Sequence, residues 1–126
     1  MQSPIPANAE LEILRILWRS GPQTVREVHD KLSAERDVGY TTVLKTMQVM
    51  AEKRLVTRNE SQRSHVYAAA VEEKSIKRRL VSELLDKAFD GSAAQLVMQA
   101  LSDKRASQED LKQIRKLLDE STRKSK

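Results

Sequence analysis

Three short amphipathic segments follow one another between Asn8 and Met50, and at Leu55 the apolar period shifts from about 3.6 residues to about 2. A chain with that order has few folds open to it. Asn8 is placed to cap a first helix whose Leu11, Leu14, Leu17 and Trp18 form an apolar stripe, and Gly21-Pro22 ends it. Thr24-Val25-Arg26-Glu27 has the spacing of a capping box, with Val28 and Leu32 following on the face of Val25, so a second helix starts there sharply. Ala34 to Val38 turns the chain, and Gly39 gives backbone freedom just ahead of the third helix. Leu55 to Arg58 and His65 to Ala69 are short β-prone runs around the polar segment Asn59 to Ser64, which predicts a hairpin. Three helices followed by a two-stranded ribbon make a winged helix-turn-helix, in a chain that is otherwise mainly α.

The third helix, Gly39 to Met50, has two different faces. Val43, Met47 and Met50 fall at i, i+4 and i+7 and suit a small core. Thr41, Thr42, Lys45, Thr46 and Gln48 are left to project outward. Hydroxyls, an amide and one ammonium suit a groove lined with phosphate oxygens and base edges, where a carboxylate would be repelled. A solvated helix face is the plain alternative, and the neighbouring hairpin and capped helix tip the preference toward DNA recognition. Tyr40 either offers its hydroxyl to phosphate or packs its ring beneath the turn. Arg58 and Arg63 sit where a wing meets backbone phosphates, against the alternative of a surface pair with Glu60. Between Val38 and Tyr67 five cations face two carboxylates, so much of the formal charge of +5 gathers here.

Beyond the hairpin the pattern is helical throughout. Ile76, Leu80, Leu84 and Ala88 repeat every four residues until Asp90-Gly91-Ser92 interrupts them. The next helix is very apolar, with Leu96, Val97, Met98, Ala100 and Leu101. Ser107-Gln108-Glu109-Asp110 opens a last helix with Leu111, Ile114, Leu117 and Leu118 inside, and Ser121 to Lys126 reads as a fraying basic tail. Three helices of this size cannot cover such stripes unaided, and a second copy would cover them. Ile76, Leu80, Leu84, Leu96, Val97, Leu101, Leu111 and Ile114 are the residues expected at that pairing face. The expected division is a DNA-binding domain at 1–71 and a helical dimerisation domain at 72–126.

Composition removes several classes of function. The chain has 126 residues and no cysteine, so disulfides, thiolate metal sites and thiol catalysis are out. Aromatics are 3%, too few for stacking on unpaired bases, which favours duplex DNA over single strands. His29 and His65 lack the company a metal site or a catalytic base needs, and no nucleophile elbow, phosphate loop or carboxylate pair stands out. The chain is expected to be neither an enzyme nor a cofactor binder. The N-terminus lacks a signal-peptide pattern and no window is long enough for a membrane span, so a cytoplasmic location is expected.

Glu10 to Trp18, Gly21 to Val28, and Tyr40-Thr41-Thr42-Val43 with Lys53 and Leu55 form an ordered set that resembles the penicillinase repressor (BlaI/MecI) family. The resemblance covers nearly the whole chain. It implies a winged-helix repressor that binds operator DNA as a homodimer, the first part binding DNA and the helical part pairing. Departures from the family pattern are specific. Val49-Met50 stands where Arg-Leu is usual, and Lys53-Arg54-Leu55 where Lys-Gly-Leu is usual. Arg54 therefore either takes a left-handed backbone in place of glycine or lets the helix end differently, and it becomes a candidate phosphate contact. The wing has Gln62 and Ala69 in place of a glycine and a proline. In the best-known members a protease linked to a membrane antibiotic sensor cuts an Asn-Phe pair. This chain has Gln99-Ala100 there, so that partner is not expected to act in the same way. A copper-responsive branch uses paired cysteines, which are missing.

The expected function is a homodimeric, sequence-specific transcriptional repressor on dyad operators, of β-lactam-response or related genes. A winged-helix scaffold for protein partners is the alternative. The expected DNA-binding set is Tyr40, Thr41, Thr42, Lys45, Thr46, Arg54, Arg58 and Arg63.

Overall fold

The structure, a computed structural model, describes residues 5–124. Met1 to Pro4, and Ser125 and Lys126 of the basic tail, lie outside the described residues.

Helix α1 (Asn8–Ser20) buries Ile13, Leu14 and Leu17. Asn8 is its first helical residue and not its cap; the cap position is Ala7, whose N–H donates to Glu10 Oε1 at 2.9 Å. A carboxylate reaching back from the first turn thus replaces the expected amide cap. At the other end Gly21 has φ 79° and ψ −167°, a conformation open in practice only to glycine. Trp18 donates its indole N–H to the Val71 carbonyl at 2.9 Å.

The chain then forms β1 (Gln23–Thr24) and α2 (Val25–Ser33). The capping box is present in both directions: Glu27 N–H donates to Thr24 Oγ1 at 3.2 Å, and Thr24 N–H to Glu27 Oε1 at 2.8 Å. The Thr24 N–H first, and then the Thr24 hydroxyl, hold the Glu27 carboxyl below its ordinary value. Val25, Val28 and Leu32 turn inward, and α3 (Tyr40–Glu52) buries Val43, Met47 and Met50 against them. The end of α3 is a Schellman motif: Leu55 N–H donates to Met50 O at 2.9 Å and Arg54 N–H to Ala51 O at 3.1 Å. Leu55 and Met50, both fully buried, supply the apolar contact that accompanies it. Arg54 occupies the left-handed position with φ 65°. Of the two routes open to it in sequence, the chain takes the strained one.

Strands β2 (Val56–Asn59) and β3 (Val66–Ala69) form the hairpin, pairing Val56 with Ala69 and Asn59 with Val66. The sheet has a third member that the sequence reading lacks: β1 pairs with β3, Gln23 opposite Tyr67, giving the antiparallel order β1-β3-β2. The wing is thereby stitched to the start of α2. Ile13, Leu14, Leu17, Val25, Val28, Leu32, Val43, Met47, Met50, Leu55, Val56 and Tyr67 make the core. One ion pair ties the unit together: Lys53 Nζ donates to Glu10 Oε2 at 2.8 Å, so the nearly buried Glu10 joins the start of α1 to the end of α3.

Contacts divide the chain into two compact units after Leu80. Helix α4 (Glu73–Ala88) spans that point, and its first turns belong to the first unit, where Ile76 is 2% exposed. Ile76, expected at a pairing face, is thus already covered within its own chain. The second unit holds the rest of α4, then α5 (Ala93–Ser102) and α6 (Gln108–Lys124). Ser92 Oγ caps α5 through Gln95 N–H, and Ser107 and Asp110 form a reciprocal box at α6. Helix α6 continues through Lys124, so Ser121 to Lys124 are helical where a fraying tail was expected. Among the described residues neither α5 nor α6 buries any side chain.

Candidate nucleic-acid interface

Anchoring α3 through Val43, Met47 and Met50 leaves Thr41, Thr42, Lys45 and Gln48 exposed on its other side. Thr46 is half-buried, and its hydroxyl donates to the Thr42 carbonyl one turn back at 2.8 Å. Its oxygen can still accept, so Thr46 is a lesser reader than Thr42 or Lys45. No carboxylate occupies this side until Glu52.

Tyr40 lies at the start of α3 with its ring packed edge-on to His29 (5.8 Å between centroids) and with the Arg26 guanidinium 5.2 Å from its centroid. It remains 41% exposed, so packing fixes the ring while leaving part of it accessible. His29 accounts for the turn beneath: its Nε2 donates to the Val38 carbonyl at 2.9 Å. This contact ties α2 to the segment entering α3.

The wing faces the same region. A cleft of about 270 Å³ is lined by Arg26, Tyr40, Gln48, Arg58, Arg63 and His65, among others. Of the expected residues, Tyr40, Arg58 and Arg63 meet along this cleft, Thr41, Thr42 and Lys45 lie on the outward side of α3, and Arg54 stands apart at the end of α3. Arg58 is not a free cation: it pairs with Glu60 at 2.6 Å. The Tyr67 hydroxyl, and then Glu60, raise its pKa further above the guanidinium's already high value. The surface pair weighed for Arg58 is therefore formed, and a phosphate would share the guanidinium donors with Glu60 or compete for them. Arg26 and His65 are cleft residues that sequence reasoning passed over. For Arg26 a signal exists, because the capping box places it exposed in the first turn of α2.

At the expected pairing face, Leu84 is 46%, Val97 42% and Leu111 37% exposed, and Leu80, Leu96, Leu101 and Ile114 are half-buried. Within the second unit Leu96, Val97, Leu101, Ile114, Leu117 and Leu118 line an apolar groove of about 700 Å³. Among the described residues no helix is long and apolar enough to cross a membrane, and no cluster of three or more His, Asp or Glu could hold a metal ion.

A family model described as Penicillinase repressor matches residues 6–120. The transcriptional regulator BlaI of Mycobacterium tuberculosis (strain H37Rv) is 38% identical over 90 residues, 71% of this chain. The matched part is 65% of that relative's own length. The methicillin resistance regulatory protein MecI of Mammaliicoccus sciuri is 21% identical over 112 residues, covering 89% of this chain and 91% of that one. Two solved structures share the fold. The DNA-binding domain of the repressor BlaI aligns with TM-score 0.52 and 22% identity over 57% of this chain and 88% of that one. The monomeric form of Bacillus licheniformis BlaI in complex with the blaP half-operator aligns with TM-score 0.51 and 22% identity, over 58% and 89%.

Proposed function

This chain belongs to the penicillinase repressor family, and from that premise we propose that it is a DNA-binding transcriptional repressor acting as a homodimer on a dyad operator. Residues 1–71 would bind DNA and residues 72–126 would pair. The observation that carries the reading is the exposed side of α3: Thr41, Thr42, Lys45 and Gln48 stand free of carboxylates, beside a wing cleft lined by Arg26, Arg58 and Arg63. Lys45 and Thr42 read base edges in the major groove, with Thr46 secondary. Thr41, Arg54, Arg58 and Arg63 hold the backbone, and Tyr40 orients the entry to the helix. The BlaI relative is named as a transcriptional regulator, and one neighbouring structure is a half-operator complex, which supports the same reading.

Pairing is supported by the state of α5 and α6. Their apolar side chains are left in contact with water, with Met98 59%, Leu117 63% and Leu118 61% exposed. A second copy laid against the groove would remove that surface, and two-fold symmetry would set half-sites about 10 bp, or a multiple of it, apart. Gln99-Ala100 stands in α5 where the resemblance places an Asn-Phe pair, so release of repression by cleavage there is not proposed. Regulation of β-lactam-response genes rests on the family alone.

Titration of promoter duplexes against scrambled duplexes across salt tests the reading. Lys45→Ala should cost about 1–3 kcal/mol per half-site and relax discrimination at one position in each, while Arg63→Ala should weaken every sequence alike and lower the salt slope by about 1 per subunit. Equal losses for both variants on every duplex would refute the roles. Replacing Leu96 and Leu101 by Gln should give monomers in sedimentation with weak operator binding. A monomer that still binds tightly would remove pairing from the mechanism.

A further inference from the structure

Helix α3 carries one large aliphatic residue on its outward side. Val49 is 40% exposed, and it lies one turn beyond Lys45 and two turns beyond Thr42, on the stripe formed by Thr42, Lys45 and Thr46. The core has no use for it: Val43, Met47 and Met50 supply all the buried residues of α3. Its backbone serves the helix end, with Lys53 N–H donating to Val49 O at 2.9 Å, and that role is independent of the side chain.

A single exposed apolar side chain is ordinary on a protein surface, but its position here is not neutral. A major groove offers donors and acceptors at every base pair, and its one distinctive apolar group is the C5-methyl of thymine. A β-branched side chain in a helix holds essentially one χ1 rotamer, so the two valine methyls are fixed in direction before any partner arrives. Bringing them against a thymine methyl removes apolar surface from water on both sides with little loss of side-chain entropy.

We infer that Val49 is a specificity-determining residue that selects a thymine by contact with its C5-methyl. The inference rests on the reading of α3 as a recognition helix. Val49 stands about 6 Å along the helix axis from Lys45. One turn of a groove-bound helix spans about one to two base steps, so the selected thymine lies within about two base pairs of the position Lys45 reads. A cytosine at that place offers an N4 amine and no methyl, and valine cannot bond the amine, so G·C pairs are disfavoured there.

The test uses the full chain and a duplex recovered by selection from a randomised pool. Each thymine of the recovered duplex is replaced in turn by uracil, which removes the methyl and leaves every hydrogen-bonding group. For the wild type, one substitution per half-site should weaken binding about fourfold, the worth of one buried methyl. Val49→Ser and Val49→Asn, which offer no methyl, should bind thymine and uracil duplexes equally at that position, and Val49→Thr, which keeps one methyl, should retain part of the difference. Uracil substitutions that act alike in wild type, Val49→Ser and Val49→Asn, on a duplex still bound selectively, would overturn the inference and leave the repressor reading intact. Recovery of no preferred sequence from the pool would overturn both.

Discussion

Arg54 combines backbone strain with a proposed phosphate contact, and replacing it by glycine should move stability and binding in opposite directions. The residue has φ 65° at the left-handed position that closes the Schellman motif of α3, with both motif bonds formed. An L-residue in that conformation costs about 1–2 kcal/mol. Glycine adopts it freely but has more freedom to lose on folding, about 0.5–1 kcal/mol. Arg54→Gly should therefore stabilise the first unit by about 1 kcal/mol, which for a unit of this size raises the thermal midpoint by about 5 °C. Trp18 is the only tryptophan of the chain, and its indole is bonded to the Val71 carbonyl, so its fluorescence reports the first unit in the full-length protein. Arg54 is also a proposed phosphate contact, and losing it from both subunits of the pair should reduce the slope of log affinity against log salt by about 1.8, about 0.9 for each contact. The variant should be the more stable protein and the weaker binder. A midpoint that stays level or falls would refute the strain argument, and an unchanged salt slope would remove Arg54 from the interface. Arg54→Asn, which tolerates the same backbone and also removes the charge, should follow glycine in both respects.

Three further outcomes rest on the same geometry. Gly21→Ala should cost about 1–3 kcal/mol in a denaturant titration although a Cβ there would meet open space, because the penalty is in the backbone; a loss under about 0.5 kcal/mol would count against it. Glu60→Gln should free Arg58 from its carboxylate and raise duplex affinity severalfold at low salt, the gain shrinking as salt is added; lower affinity would mean that Glu60 positions Arg58 productively. The Glu27 carboxyl has its pKa lowered in the folded state, so its contribution is complete above the ordinary value of 4.5 and is lost as pH falls through the folded pKa. Glu27→Gln keeps a side chain able to accept from Thr24 N–H but loses the charge. Its thermal midpoint should lie below the wild type near neutral pH and merge with it in strong acid, and a gap independent of pH would refute the charge argument.

What the sequence made legible was local. The stripe of α1, the capping box at Thr24 and the split faces of α3 all depend on residues within a turn or two of one another; the box, Leu14, Leu17, Val43, Met47 and Met50 appear where expected, while Ile13 is buried and Leu11 and Trp18 are only half-buried. Pairings across long stretches of chain were illegible. Strand β1 is two residues long, and its partner is Tyr67 and Val66, so locally Gln23 and Thr24 read only as a helix entry. The Glu10 to Lys53 ion pair, which joins both ends of the helical layer, has the same cause. Periodicity also does not say what covers a stripe: Ile76, Leu80 and Leu84 repeat alike, yet Ile76 is buried within the chain while Leu84 is 46% exposed. In the candidate site, the outward residues of α3 followed from the helix period. The Arg58 to Glu60 pair was one of two local readings, and the hairpin brings its partners together in the free chain.

The bare apolar sides of α5 and α6 have a consequence for control. If burying them takes a second chain, the ordering of that half of the protein is a bimolecular event, and its melting midpoint climbs with chain concentration. Below the dissociation constant of the pair, the amount of competent repressor varies with the square of the free chain. A modest fall in synthesis or a modest rise in turnover would then empty a promoter disproportionately, giving the gene a sharp threshold without any small-molecule effector.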